Sequence, residues 1–306
     1  MKTIGVVIAT YNGDYFLGEQ LRSIRAQTHR PDQIVVVDDC SQDGTKKIIK
    51  TFISESPEMF LFIENGENMG SKRSFEIGIA NCEADYLALS DQDDVWIPEK
   101  LAKVYAALEN NPKAQLCFHD LKLMDEKGLP LGKNFWEVSP PDEPLPVLGF
   151  SARERLTNFS NPVPGCTMFF AAELKKYILP MPPSKWIGHD WWVSVIGFFF
   201  ADPIFLREPL AYYRIHHRQS AGIGMTLKMK KEKGRRLPLP LRLERELKRI
   251  FKRRRRGSEK QERMQEMSME LLKVIEICEK KNTDPENLTN LERLKNTIQN
   301  IVNKKL

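Results

Sequence analysis

The sequence predicts an α/β protein built on a mostly parallel central sheet flanked by helices. Three observations carry this. Short, continuously apolar runs recur through the first half of the chain. Between them lie segments whose apolar residues fall at helical spacing. Each apolar run also stops at a polar cluster, and in a parallel sheet such clusters collect at one edge.

Taken in order, Ile4 to Ala9 is the first buried strand, closed by the turn Thr10-Tyr11-Asn12-Gly13. Asp14 to Gln27 carries Phe16, Leu17, Leu21 and Ile24 at helical spacing. Gln33 to Val37 is the second strand and stops at Asp38-Asp39. Ser41 to Thr45 forms a turn and helix cap, and Lys46 to Ile53 is a helix. Met59 to Ile63 is the third strand, followed by Asn68-Met69-Gly70 and a helix from Ser71 to Ala80. Tyr86 to Leu89 is the fourth strand. Strands alternating with helices in this way imply right-handed parallel crossovers.

The fourth strand runs into Ser90-Asp91-Gln92-Asp93-Asp94-Val95-Trp96, with Ile97-Pro98-Glu99 as a helix start. Carboxylates this dense repel one another unless a cation lies among them, and a divalent metal bound to a diphosphate is the usual solution. Glu99 to Glu109 is then helical and Ala114 to Met124 a strand, with His119-Asp120 within it. Gly128 to Phe150, with Phe135 and Trp136, is Pro-rich and too long for a plain connection, which suggests a functional loop with exposed aromatics. Gly165 to Phe170 is another buried strand. Gly188-His189-Asp190-Trp191-Trp192 leads into an apolar helix from Val193 to Phe200, and Pro203 to Tyr213 is strand-like, ending in Arg214-Ile215-His216-His217. There is no Gly-x-Gly-x-x-Gly after the first strand and no Walker phosphate loop. This argues against a dinucleotide oxidoreductase and a P-loop hydrolase.

Four motifs stand in order: Val6-Val7-Ile8-Ala9-Thr10-Tyr11-Asn12, Ile34 through Asp38-Asp39-Cys40-Ser41-Gln42-Asp43-Gly44-Thr45, Asn68-Met69-Gly70, and Asp91-Gln92-Asp93-Asp94. Together they resemble the inverting family 2 glycosyltransferases, which bind nucleotide sugars on a GT-A fold. The resemblance covers residues 3 to 217, and the Ser-Asp-Gln-Asp-Asp-Val-Trp form resembles the bacterial rhamnosyltransferase-like branch.

The resemblance implies a set of roles. Thr10, Tyr11 and Asp39 hold the pyrimidine base, with Asn12, Asn68 and Lys72 also on the nucleotide. Asp91 lies near the ribose or the metal. Asp93 ligates the Mg²⁺ or Mn²⁺ that bridges the diphosphate, and His216 contacts the metal or the diphosphate. Asp190 sits at the catalytic-base position. There a carboxylate takes the proton of an acceptor hydroxyl as it attacks the anomeric carbon. Gly165, Cys166, His189, Trp191 and Arg214 approach the sugars, as do Asp94 (if it does not cap the following helix) and Trp96. Asp38 reads equally as a site residue or a turn carboxylate, and His119 as a structural or acceptor-side residue rather than a metal ligand. Two positions depart from the family pattern: Phe75 stands where relatives often carry Arg, and His189 where they commonly carry Glu.

Composition bounds the remainder. Five cysteines without regular spacing argue against a disulfide framework, and no Cys/His cluster suggests zinc. The N-terminus has no signal-peptide pattern, and no apolar run reaches the ~20 residues of a membrane span. A cytoplasmic enzyme is expected, at the inner face of the cell membrane if its tail binds lipid. Net charge is +6, yet residues 228–256 hold fifteen Lys/Arg against three Glu. The rest of the chain is therefore net acidic, and the basic segment suits an anionic membrane surface. Nucleic acid is not an expected partner, since no recognition motif accompanies the charge. Ser258 to Lys281 carries Met264, Met267, Leu271, Ile275 and Cys278 on one stripe, and Leu288 to Val302 is a second amphipathic helix. The pair forms a hairpin that docks on the core or on a second subunit, as in a homo-oligomer. The expected organisation is thus a catalytic domain (1–225), a basic linker (226–257) and a helical hairpin (258–306). The expected partners are a nucleotide diphosphate sugar donor, dTDP-rhamnose or a UDP-hexose, and a saccharide or lipid-linked saccharide acceptor. The rival functions are a sugar-1-phosphate nucleotidyltransferase and a non-catalytic nucleotide-sugar-binding protein.

Overall fold

Along the first strand, β1 (Ile4–Thr10), side chains alternate between two cores. Ile4, Val6 and Ile8 join one buried cluster and Val7 joins the other. Strand β2 (Gln33–Asp38) repeats the division, with Ile34 and Val36 on one side and Val35 and Val37 on the other. Both faces of the sheet are thus covered, as the continuously apolar strands require. The computed structural model describes residues 1–138, 163–219 and 258–281, with residues 288, 292, 295, 296, 298 and 299.

The described strands form one sheet in the order β3-β2-β1-β4-β8-β6-β9-β5, with β7 paired to β6. The further strands are β3 (Phe60–Glu64), β4 (Tyr86–Ser90), β5 (Val95–Trp96), β6 (Leu116–Met124), β7 (Pro130–Asn134), β8 (Phe169–Ala171) and β9 (Ile204–Arg214). β1, β2, β3 and β4 pair in parallel, and so do β6 and β9. β8 runs antiparallel to both β4 and β6, β5 to β9, and β7 to β6. The sheet is therefore mixed, but six of its strands point one way. In register, Thr10 lies opposite Asp38 and Ile8 opposite Ser90. The polar ends of β1, β2 and β4 do share one edge.

One face carries α1 (Leu17–Arg25), α2 (Thr45–Glu55) and α4 (Lys100–Glu109). The other carries α3 (Ser71–Asn81), α6 (Lys175–Ile178), α7 (His189–Phe200) and α8 (Ser258–Lys281). Met267, Leu271, Val274 and Ile275 of α8 are buried in the same cluster as Trp192 and Val195 of α7. The described part of this helix's stripe is therefore taken up by the chain's own core. Ile298 joins the same cluster. The basic linker, the segment 139–162 and most of the last helix lie outside the described residues.

Helix α3 lies so close to β1 that a Cβ at Gly78 would stand 2.4 Å from Val7 Cγ1 and 3.3 Å from Val37 Cγ2. Neither β-branched side chain can turn away within a packed core. Gly78→Ala should therefore destabilise the fold by about 1–2 kcal/mol in urea unfolding, overpacking outweighing the gain in helix propensity. A variant more stable than the parent would contradict this packing.

Two local expectations need correction. Gly165 to Phe170 is not one strand: Gly165–Thr167 is a 3₁₀ turn and only Phe169–Ala171 pairs. The amide and the hydroxyl of Thr167 both donate to the Pro164 carbonyl, at 3.0 and 2.7 Å, which curls the chain. The helix expected from Glu99 to Glu109 is present as α4, which begins at Lys100, and Val95–Trp96 before it add β5 against β9. Phe135 and Trp136 are not exposed loop aromatics. They lie in α5 (Phe135–Val138), both buried, against Tyr213 and Phe205 respectively.

Candidate functional site

The turn after β1 is the first wall. Asn12 takes a left-handed backbone, φ 47°, and Cys40 does the same at 66°. The Asn12 amide donates to Ser41 Oγ (2.9 Å), and Asn12 Oδ1 accepts the Gln42 amide (2.9 Å), so the ends of β1 and β2 are tied together. Asp38 is fully buried and accepts from Thr10 Oγ1 (3.0 Å), Ser41 Oγ (2.6 Å) and the Ser41 amide (2.9 Å). It is a turn carboxylate. Thr10 serves it and is itself buried.

Asp39 faces the other way. Its carboxylate accepts from Asn65 Nδ2 and from the amides of Met69 and Gly70, each at 2.8 Å. Gly70 meets this with φ 83°, where glycine is favoured. The loop before α3 is thus wrapped around Asp39. Asn65, not Asn68, provides the side chain, and Asn68 is exposed. Tyr11 is also exposed.

Gln92 escaped the sequence reading. Its amide grips the Tyr11 backbone at both ends, accepting from the amide (2.9 Å) and donating to the carbonyl (3.1 Å). A Cβ at Gly13 would sit 2.3 Å from Gln92 Oε1, so glycine is what lets the acidic motif close on the first turn. No periodicity links positions 11 and 92; only the sheet order does.

The carboxylates of the motif separate sharply. Asp93 Oδ2 lies 2.7 Å from His216 Nε2, both residues nearly buried. The Arg218 amide donates to His216 Nδ1 (3.2 Å), which leaves the ring proton on Nε2, directed at Asp93. In this tautomer His216 orients Asp93. It offers Nε2 to an ion only if the proton crosses to Nδ1. Asp94 is fully buried and caps no helix; its Oδ1 accepts the Arg214 amide (3.2 Å) and its Oδ2 has no partner. Asp91, Asp94 and Cys166 bring ligand atoms within 4.8 Å of one another.

Burial, then the neighbouring charges of Asp94, Asp93 and Asp190, push Asp91 well above the usual carboxylate range. Burial and Asp93 raise Asp94 to about 7. Burial pushes the Cys166 thiol well up, so it stays protonated. Lys100 is the buried counter-charge. Its Nζ donates to the Cys166 carbonyl (2.7 Å) and lies 3.6 Å from the centre of the Trp96 ring, and burial lowers it to about 7. Oxygen donors of this kind, one of them an unpartnered buried carboxylate oxygen, fit a hard divalent cation such as Mg²⁺ or Mn²⁺.

Several residues expected at the nucleotide or the sugars are held in the framework, and His119 with them. Trp96 is 2% exposed, and its indole donates to the Gln20 amide oxygen (3.0 Å) once that amide is oriented to satisfy both its ends. Arg214 is also 2% exposed, pairing with Glu19 (2.6 Å) and donating to the carbonyls of Asp93 (2.9 Å) and Glu126 (3.2 Å). Lys72 is spent on the carbonyls of Pro182 and Ser184. His119 is fully buried, and its Nδ1 meets the Asp120 carbonyl (2.7 Å).

Asp190 opens α7 from the first turn, where the helix dipole favours a carboxylate. It is partly exposed, and its Oδ1 accepts the Trp191 amide (2.8 Å). Gly165 lies directly against it. A Cβ there would be 3.6 Å from Asp190 Cβ and 2.5 Å from His189 Nε2. Asp190 thus stands across the Gly165–Cys166 turn from Asp91. His189 stacks on Phe75, with centroids 3.9 Å apart and planes at 23°, so the two departures from the family pattern touch. Burial lowers His189, keeping the ring neutral in this apolar stack. Trp191 is buried in the core behind.

Among known proteins, a glycosyltransferase of Nostoc sp. is 28% identical over 217 residues, which is 70% of this chain and 65% of the relative. The chain therefore spans just under two thirds of that relative's length. S. aureus TarS in complex with UDP-GlcNAc superposes with a TM-score of 0.57 at 16% identity, covering 99% of this chain and 91% of that one. The mannosyltransferase PcManGT of Pyrobaculum calidifontis, in complex with GDP-Man and Mn²⁺, gives 0.54 at 14% identity, covering 100% and 88%. These neighbours share the GT-A fold. The Glycosyl transferase family 2 profile matches residues 5–177, more than half of the sequence, and the chain belongs to that family.

Proposed function

We propose that this protein moves one sugar from a nucleotide diphosphate sugar to an acceptor hydroxyl, with inversion, in a single displacement. The observation that carries the reading is the placement of Asp190 against Gly165, on the other side of the Gly165–Cys166 turn from Asp91 and Asp94, with Asp39 on the same sheet edge as the acidic motif. Asp39, ringed by the 65–70 loop, receives the base beside Tyr11. Asp91 lies on the nucleotide side, and Asp93, oriented by His216, is the metal ligand. A bound Mg²⁺ or Mn²⁺ supplies charge that stabilises the diphosphate leaving group. Asp190 accepts the proton of the attacking hydroxyl.

The donor is dTDP-rhamnose or a UDP-hexose. The acceptor is a saccharide or a lipid-linked saccharide of bacterial cell-surface polysaccharide or glycolipid synthesis. No helix among the described residues is long and apolar enough to cross a membrane. The basic segment 228–256 would hold the enzyme at the inner membrane face. A thermal-shift panel of nucleotide sugars with Mn²⁺ or Mg²⁺ tests the reading. A metal-dependent rise in Tm with one nucleotide class is expected, following the linkage between ligand binding and stability. No shift across the panel, or pyrophosphate release from a nucleoside triphosphate, would replace it.

A further inference from the structure

A nucleoside diphosphate brings two or more negative charges beside Asp91, Asp93 and Asp94. Most cations near that edge are already committed. Lys72 holds two carbonyls, and Arg73 pairs with Glu76 (3.0 Å). Lys100 is buried on the Cys166 carbonyl, and Arg214 is buried on Glu19. The nucleotide would have to break these contacts to use them.

Arg218 stands differently. It is exposed, and its guanidinium rests on the ring of Tyr15, 5.3 Å from the centroid. Tyr15, 63% exposed, meets Phe16 edge-on, and Phe16 packs on His216 at 4.5 Å. The guanidinium is therefore carried on an aromatic ledge beside the residue that orients Asp93. The turn that displays it is pinned. Gln219 donates to the Arg214 carbonyl (2.7 Å) and accepts the His216 amide (3.4 Å), and the Arg218 amide donates to His216 Nδ1 (3.2 Å). His217, the other outward residue of the turn, already faces Glu126 at 3.1 Å. A cation whose side-chain partner among the described residues is an exposed ring gives up little when it turns to a phosphate. A planar guanidinium can then bond phosphate oxygens in a bidentate manner.

Resting on the glycosyltransferase reading above, we propose that Arg218 is a diphosphate-binding residue of this chain, stored on Tyr15 and delivered to the donor's phosphates from the fixed turn 216–219. The contact is with phosphate oxygens, so it favours nucleoside diphosphates over the matching monophosphates. Arg218→Gln removes the charge but keeps the backbone amide that sets the His216 tautomer.

Titration calorimetry with Mn²⁺ tests this using UDP, GDP and dTDP and their monophosphates, on the full chain. For the nucleotide that the parent protein prefers, Arg218→Gln should weaken diphosphate binding about tenfold and leave monophosphate binding within about twofold. Arg218→Lys should recover part of the loss, because it restores charge without the fork. Equal loss for diphosphate and monophosphate would show a structural role and overturn the proposal. So would unchanged diphosphate binding in a parent protein that prefers the diphosphate. A parent that binds none of these nucleotides overturns the donor reading itself, and the Arg218 assignment with it.

Discussion

Asp190→Asn is expected to lower kcat by about 10²- to 10⁴-fold, the usual contribution of a positioned general base, while nucleotide affinity changes less than about twofold. The substitution is nearly isosteric. Asn keeps an Oδ1 that accepts the Trp191 amide, so the first turn of α7 should survive. What disappears is the ability to take a proton. The acceptor hydroxyl must then attack with its proton in place, which raises the barrier without touching the base pocket at Asp39. Single-turnover kinetics with the donor found by the panel, set beside calorimetry with the nucleotide, separates the two. A variant with full transfer activity would remove Asp190 from the chemistry. A variant that loses nucleotide binding as well would show Asp190 to be a framework residue. Asp190→Glu is the informative companion. It keeps the carboxylate but lengthens the arm in a wall already crowded by Gly165 and Gly188, so an intermediate rate is expected.

The parts of this protein that were legible in the sequence are those whose signal is local. β1, β2 and β4 are apolar runs stopped by Thr10, Asp38 and Ser90, and buried parallel strands have no other appearance. α8 could be placed from its stripe alone. The sequence reading failed where the deciding fact is a partner distant in the chain. Lys72 and Arg214 look like anion-binding cations because sequence displays their charge and hides the carbonyls and the Glu19 carboxylate that consume it. Trp96 looks like a site residue because nothing local reveals that it is buried. Gln92 looks like a spacer between two aspartates until the sheet brings Tyr11 beside it. β5 is two residues long and exists only because β9 is there to pair with it.

The two departures from the family pattern show the same principle working in the opposite direction. Phe75 and His189 are far apart in sequence, and each alone is an unexplained substitution. In the fold they stack at 3.9 Å, at the point where α3 passes the start of α7. The same stretch of α3 carries Ser74, which meets the Asn65 side chain (3.2 Å), and Glu76, which accepts the Met181 amide (3.2 Å). One helix therefore touches both the loop around Asp39 and the segment leading to Asp190. An aromatic stack at this junction fills the space by dispersion and contact area. It requires no ionised pair in a buried position, where desolvation would be costly.

Asp93→Ala should weaken metal-dependent nucleotide binding by about 10- to 100-fold, since even outer-sphere partners of a metal contribute on that scale. The effect has two sources that can be told apart. Losing the carboxylate removes a hard oxygen donor from the acidic motif. It also leaves the His216 Nε2–H, nearly buried, without its acceptor, which costs about 1–3 kcal/mol of stability. Asp93→Asn separates these terms, because the amide oxygen can still accept from His216 while the charge is gone. If Asp93 is the ligand, both variants lose the metal-dependent part of nucleotide binding, but only Asp93→Ala loses stability in urea. Calorimetry with the preferred nucleotide, with Mn²⁺ and with EDTA, reads the first quantity. Nucleotide binding that is equal with and without metal, and unchanged in both variants, would move the cation away from Asp93. The Asp91–Asp94–Cys166 group, with its unpartnered Asp94 Oδ2, would then be the place to look. The ordering of the carboxylates would invert: Asp93 would become the residue that fixes His216, and Asp94 the residue kept poor in partners so that a cation can complete it.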